Sequence, residues 1–161
     1  MRILGVDPGL RATGFGLVEI KTGSIKLIDA GSIEPNPKAP FEERIAKIHR
    51  LLSEIIHAHK PDVLVLEKLY AHYKHPTTAC LLGHVRGVIC LLAHEYKIEL
   101  VQQSVKRIRV ALVGNGNATK EQVAMFVKRL LKIEKAQAPL DTTDALALAL
   151  GHAHMLKFKL F

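Results

Sequence analysis

Cysteine is scarce in this chain: among 161 residues only Cys80 and Cys90 are thiols, and they form neither a C-x-x-C pair nor a disulfide framework. That excludes a stapled extracellular scaffold and, since both lie in one apolar run, predicts two reduced core thiols in a cytoplasmic protein. Long apolar runs are missing as well. The longest, near Val85 to Ala93, carries Arg86 and falls short of the roughly 20 residues that cross a bilayer, so a soluble chain is expected. The opening MRILGVDPG meets an acid at position 7 and shows neither a basic leader nor a long apolar core region, so export is not expected. With no internal repeat, linker or low-complexity tract, one domain over 1–161 is the expectation. The common catalytic templates are absent too: there is no Walker lysine motif, Gly114-Asn115-Gly116 lacks the third glycine of a dinucleotide fingerprint, and no nucleophile elbow occurs. Acids are outnumbered, 15 Asp+Glu against 23 Lys+Arg, giving a formal charge of +8. Such an excess suits a phosphate backbone or an anionic membrane surface, although solubility alone accounts for it equally well.

What the chain does have is a clear succession of patterns. Arg2 to Val6 reads as a short apolar strand, Asp-Pro-Gly as a turn, and Ala12 to Ile20 and Ser24 to Glu34 as two partly alternating strands, so three antiparallel strands come first. Pro35, Pro37 and Pro40 end that sheet segment. Phe41, Ile45, Ile48, Leu52 and Ile56 then recur at helical spacing. Asp62 to Glu67 is a continuous apolar run of the kind found in strands covered on both faces. A largely apolar helix follows from Pro76 to His94, containing Gly83 and Gly87. Ile98 to Val101 is a short strand, and helical stretches run from Gln103 to Leu112, Thr119 to Leu131 and Leu140 to Leu156. The order βββ-α-β-α-β-α-α-α predicts an α/β fold with one five-stranded mixed sheet and helices on its faces. A right-handed crossover would lay the first strand parallel to the Asp62 strand, bringing Asp7 and Glu67 to one sheet edge.

Asp7, Glu67, Asp141 and Asp144 are the residues with the most chemistry to offer. Each has a plain alternative: Asp7 as a turn former, Glu67 as a solvated strand tip, and Asp141 and Asp144 as a capping pair at a helix start. Brought together, several ionised carboxylates raise one another's pKa unless a cation compensates. A donor set made of oxygens alone selects Mg²⁺ or Mn²⁺ over Zn²⁺. Two such ions roughly 3.5 to 4 Å apart support phosphodiester hydrolysis. The 103 to 131 region adds Lys106, Arg107, Arg109, Lys120, Lys128 and Arg129 as phosphate partners, or as a solvated face. Tyr70 and Tyr73 stand in a His- and Lys-rich loop where a ring can stack on a base or pack beneath the loop. The histidines show no zinc-like pairing with cysteine and are expected to be structural or surface groups.

The stretches ILGVDPGLRATGFGLV, PDVLVLEKLY, LLGHVRGV, VGNGNATKEQVAMFVKRLL and PLDTTDALALALGHAH, spread over nearly the whole chain, resemble the RuvC family of bacterial Holliday-junction resolvases, within the ribonuclease-H-like superfamily. The resemblance implies a ribonuclease-H-like sheet, with Asp7, Glu67, Asp141 and Asp144 as the family's metal-binding acids. It implies a homodimer that makes paired, Mg²⁺-dependent nicks in symmetric strands of a four-way DNA junction during recombination and repair, alongside the RuvA and RuvB branch-migration proteins. It places the junction-engaging aromatic on Tyr70 and a basic active-site position on Lys120. A second basic position, usually Lys, falls on Arg109, which keeps the charge but changes the hydrogen-bond geometry. Lys106 is an expected DNA contact beside them. The loop Ala71 to Thr78 departs from the family's asparagine-containing pattern and is one residue longer. A structured-DNA binder that does not cut, or an RNA-processing nuclease on the same fold, is the competing reading; the intact acidic quartet argues against the former.

Overall fold

The computed structural model describes residues 1–21, 24–68, 76–133 and 140–157, apart from the side chains of Pro76, Leu140, Asp141 and Lys157. Five strands, β1 (Arg2–Asp7), β2 (Thr13–Lys21), β3 (Ser24–Ile33), β4 (Val63–Glu67) and β5 (Glu99–Gln103), form one mixed sheet in the order β3-β2-β1-β4-β5. β1, β2 and β3 are antiparallel neighbours, whereas β4 lies parallel to both β1 and β5. The helices are α1 (Phe41–His59), α2 (Pro76–Glu95), α3 (Val105–Val113), α4 (Lys120–Leu131) and α5 (Leu140–Lys157). This is the ribonuclease-H-like α/β arrangement that the sequence predicts.

The two-residue period of the strands sorts their side chains into two cores. On one face Ile3, Val18, Val63 and Val65 pack with Ile108 of α3, Val123 and Val127 of α4, and Leu146 and Leu150 of α5. On the other, Leu4, Val6, Leu17, Leu64 and Leu66 pack with Ile48, Leu52 and Ile56 of α1 and with Val85, Ile89 and Leu92 of α2. Each fully buried aliphatic side chain contributes about 1.5–3 kcal/mol relative to exposure. α5 is apolar all round, as suits a helix enclosed by other elements. It crosses β1 and β2 where Gly5 and Gly16 are cross-strand partners. A Cβ on Gly5 would stand 2.1 Å from the Ala145 carbonyl oxygen, and one on Gly16 2.6 Å from Leu146. These two glycines let the helix backbone approach the sheet.

Two sequence expectations change. Gln103 closes β5 instead of opening α3, because Ser104 caps that helix by accepting from the Arg107 amide, and Gln103 pairs with Glu67. Cys80 is exposed and Cys90 only partly buried, so they are not both core thiols. Helical spacing puts Cys80 on the outer face of α2 with Gly83, His84 and Gly87, away from the side that buries Val85, Ile89 and Leu92. A Cβ at Gly83 or Gly87 would meet nothing within 4 Å among the described residues. The Thr77–Glu95 stretch does have the length and mean hydropathy, 1.3, of a membrane span. Its inner side is nevertheless committed to the sheet, and it carries the charged Arg86 there.

Candidate active site

The site is built from strand ends and helix starts. Asp7 is the last residue of β1, and Glu67 the last of β4. With Ile3 and Gly5, and with Val63 and Val65, they fall on the α5 side of the sheet. The loop after Asp7 is closed by Thr13, whose fully buried hydroxyl donates to the Gly9 carbonyl at 2.7 Å. Asp144 comes from the start of the second turn of α5, beside the Ala145 carbonyl that rests on Gly5. Lys120 is the first residue of α4, fixed by a capping box in which Thr119 accepts from the Gln122 amide at 3.2 Å and the Gln122 side chain accepts from the Thr119 amide at 2.9 Å. Thr119→Ala is therefore expected to cost about 1 kcal/mol, read as a lower denaturation midpoint, and to loosen Lys120.

Asp7, Glu67, Asp144, Lys120 and Arg109 line one cleft, whose apolar wall is made by Val105, Ile108, Val123, Ala147 and Leu148. Lys120 Nζ donates to Asp144 Oδ2 at 2.9 Å. That bond is the main reason the Lys120 pKa is raised; Asp144, Asp7 and Glu67 add Coulombic attraction against a cost from burial. The Glu67 carboxyl is shifted the other way for its class. Burial raises its pKa most and the Asp144 charge raises it further, while Lys120, Arg86 and Arg109 oppose the rise. The cleft is thus a place where negative charge is concentrated and only partly offset by basic side chains. Among the described residues no three acidic, His or Cys side chains stand tightly enough to enclose a single ion as placed, and it is the Lys120 ammonium that engages Asp144.

Of the residues singled out from sequence, five therefore meet at the cleft. Asp141 lies in the first turn of α5 and so is not its N-cap; its side chain, like Tyr70 and Tyr73, lies outside the described residues. Lys106 is exposed and lies across Gly116 in the turn before α4; it is not part of the cleft lining. The sequence reading did not single out Arg86, whose guanidinium donates to the Glu67 carbonyl and to Gln102 Oε1. A lone charge in an otherwise apolar helix was the available signal, because such a charge needs a buried partner.

The sequence model of a family described as "Crossover junction endodeoxyribonuclease RuvC" matches residues 3–152. A protein of that name from Chloroherpeton thalassium is 41% identical over 153 residues, covering 94% of this chain and 82% of the relative. Its namesake from Alkaliphilus metalliredigens is 37% identical over 159 residues, 99% of this chain and 96% of the relative. Among solved structures, T. thermophilus RuvC in complex with a Holliday junction substrate superposes with a TM-score of 0.88 at 26% identity, covering 98% of this chain and 96% of that one.

Proposed function

The chain belongs to the RuvC family of crossover junction endodeoxyribonucleases, and from that premise we propose that it resolves four-way DNA junctions by paired hydrolysis of phosphodiester bonds in symmetric strands. The observation that carries this reading is the meeting of Asp7, Glu67 and Asp144 with Lys120 and Arg109 in one cleft, on a chain whose net charge of +8 favours DNA.

The donor set fits a hard divalent cation. Carboxylate oxygens are the ligands Mg²⁺ prefers, and a cation would relieve the unfavourable burial of Glu67 beside Asp144. Asp7, Glu67, Asp144 and Asp141 are the residues that would hold Mg²⁺, as a pair of ions, with Mn²⁺ able to substitute. When bound, the ions supply activation of water and stabilisation of the leaving oxygen. Hydrolysis joins the water oxygen to phosphorus, breaks one phosphorus–oxygen bond to the sugar, and returns a proton to the departing oxygen. The chain's own part is orientation and charge. Lys120, held by Asp144, offers its remaining N–H donors to the scissile phosphate, and Arg109 at the cleft edge engages the backbone with a planar fork. Lys106 on the exposed side of α3 extends that contact, and Tyr70, just beyond β4, stacks on a junction base.

Two symmetric cuts require two sites. The outer face of α2, with Cys80, Gly83, Gly87 and the half-exposed Leu91, is where a second copy of the chain would lie, since small residues permit close helix approach. Gly87→Glu is expected to shift the protein from dimer to monomer in sedimentation equilibrium and to uncouple the paired nicks. In this reading the enzyme is cytoplasmic and acts with the RuvA and RuvB branch-migration proteins. Purified protein incubated with Mg²⁺ and labelled four-way, three-way and linear duplexes tests the proposal. Symmetric, ligatable nicks in the four-way junction, abolished by chelation, are expected. Equal cutting of all three DNAs, or binding without cutting, would overturn it.

A further inference from the structure

Arg86 is more than nine-tenths buried, on a helix that packs against the sheet face opposite the cleft. Its Nη1 donates to the backbone carbonyl of Glu67 at 2.5 Å, and its Nη2 to Gln102 Oε1 at 3.2 Å. The two acceptors sit at the ends of neighbouring parallel strands, Glu67 last in β4 and Gln102 last but one in β5. Glu67 is where the ladder runs out on one side: β4 is paired with β1 only as far as Leu66, opposite Val6, while β1 continues through Asp7 against β2. On the other side the Lys68 amide donates to the Gln103 carbonyl at 2.8 Å. The Glu67 peptide is therefore held by β5 and by Arg86 alone among the contacts of the described residues, at the point where its side chain turns into the cleft.

We propose that Arg86 is the positioning residue for Glu67, a buried guanidinium that fixes the end of β4 from behind the sheet and so sets where the Glu67 carboxylate stands relative to Asp7 and Asp144. A guanidinium suits the task because its rigid fork spans two acceptors, which an ammonium cannot do with the same geometry. It touches neither substrate nor the reacting atoms. Its positive charge also acts on the carboxylate through the strand end, opposing the effect of burial. The inference rests on reading the cleft as a nuclease site.

The test compares full-length wild type with Arg86→Met, which keeps the apolar stem but loses the fork, and Arg86→Lys, which keeps the charge. Supporting-shell changes of this kind cost about 10- to 100-fold in metal affinity or activity. For folded Arg86→Met, single-turnover junction cleavage should fall by that factor, junction affinity should hold, and calorimetric Mn²⁺ binding without DNA should weaken about tenfold. Arg86→Lys should recover only part of both losses. A lowered melting temperature with unchanged cleavage and Mn²⁺ binding would mark a merely structural arginine and overturn the assignment. If Arg86→Met does not melt cooperatively, Gln102→Leu decides. Gln102 is exposed, so its loss is tolerated by the fold; a smaller fall in cleavage and Mn²⁺ affinity supports the proposal, and wild-type values refute it. Failure of the wild type to cut junctions would sink the nuclease reading itself, whereas wild type and variants cutting alike would sink only the role of Arg86.

Discussion

Asp7→Asn should abolish Mg²⁺-dependent nicking of a four-way junction while leaving junction binding intact or tighter. The substitution keeps the size and shape of the side chain at the end of β1 and removes only its charge. Asp7 shares the cleft with Glu67, Asp144 and Lys120, so on the proposed reading the loss falls on the ability to hold divalent cations where transition-state charge develops. Losing one preorganised electrostatic partner at such a centre costs about 10²- to 10³-fold, and a metal ligand belongs at the upper end. Binding behaves differently because phosphates are repelled by acids. One fewer carboxylate, with Lys120 and Arg109 in place, cannot weaken the attraction to a polyanion. Single-turnover cleavage and gel-shift titration measure the two quantities separately. Wild-type cleavage by Asp7→Asn would remove the catalytic role given to the acidic cleft.

Gly5→Ala should be as damaging, through folding. The added methyl would stand 2.1 Å from the Ala145 carbonyl oxygen and 2.8 Å from the Ala149 amide nitrogen. Both are backbone atoms that no rotamer change can move. Either α5 lifts from β1 or the strand bends, and in both cases two packed layers separate. Overpacking costs about 1–3 kcal/mol and occasionally more; with backbone as the obstacle, about 3 kcal/mol is the expected loss. For a chain of this length that is a fall of about 10 °C in melting temperature, measurable by calorimetry. Because Ala145 follows Asp144 and Gly5 precedes Asp7 by two residues, the surviving folded protein should also cleave slowly. An unchanged melting temperature would show that α5 does not rest on Gly5.

The sequence made the sheet legible because its signals are local. Continuous apolar β4 announced a strand buried on both faces, Thr119 stood at the start of a helix, and one crossover rule placed β4 beside β1. The acids Asp7 and Glu67 were legible for the same reason, as charges closing apolar runs. Features that depend on which side of an element faces what were not. Cys80 looked like core because its neighbours are apolar, yet helical phase puts it outside. Gln103 looked helical because Ser104, its cap, is a single residue on. By charge and spacing alone Lys106, Arg109 and Lys120 were equivalent, and only the family resemblance set Lys120 and Arg109 apart as the two that line the cleft. The ion pair between Lys120 and Asp144 joins residues 24 apart, and no periodicity encodes such a meeting.

α5 follows every strand in chain order, yet it is the helix that packs across β1 and β2 and brings Asp144 to Asp7 and Glu67. Strands and α1 to α4 are therefore synthesised before the element that completes the acidic cleft. A nascent chain or a folding intermediate without docked α5 can present its basic residues to DNA but lacks the full set of acids to cut it. On the proposed reading, cleavage competence therefore waits on the docking of α5, the helix that also carries Leu146 and Leu150 into the core.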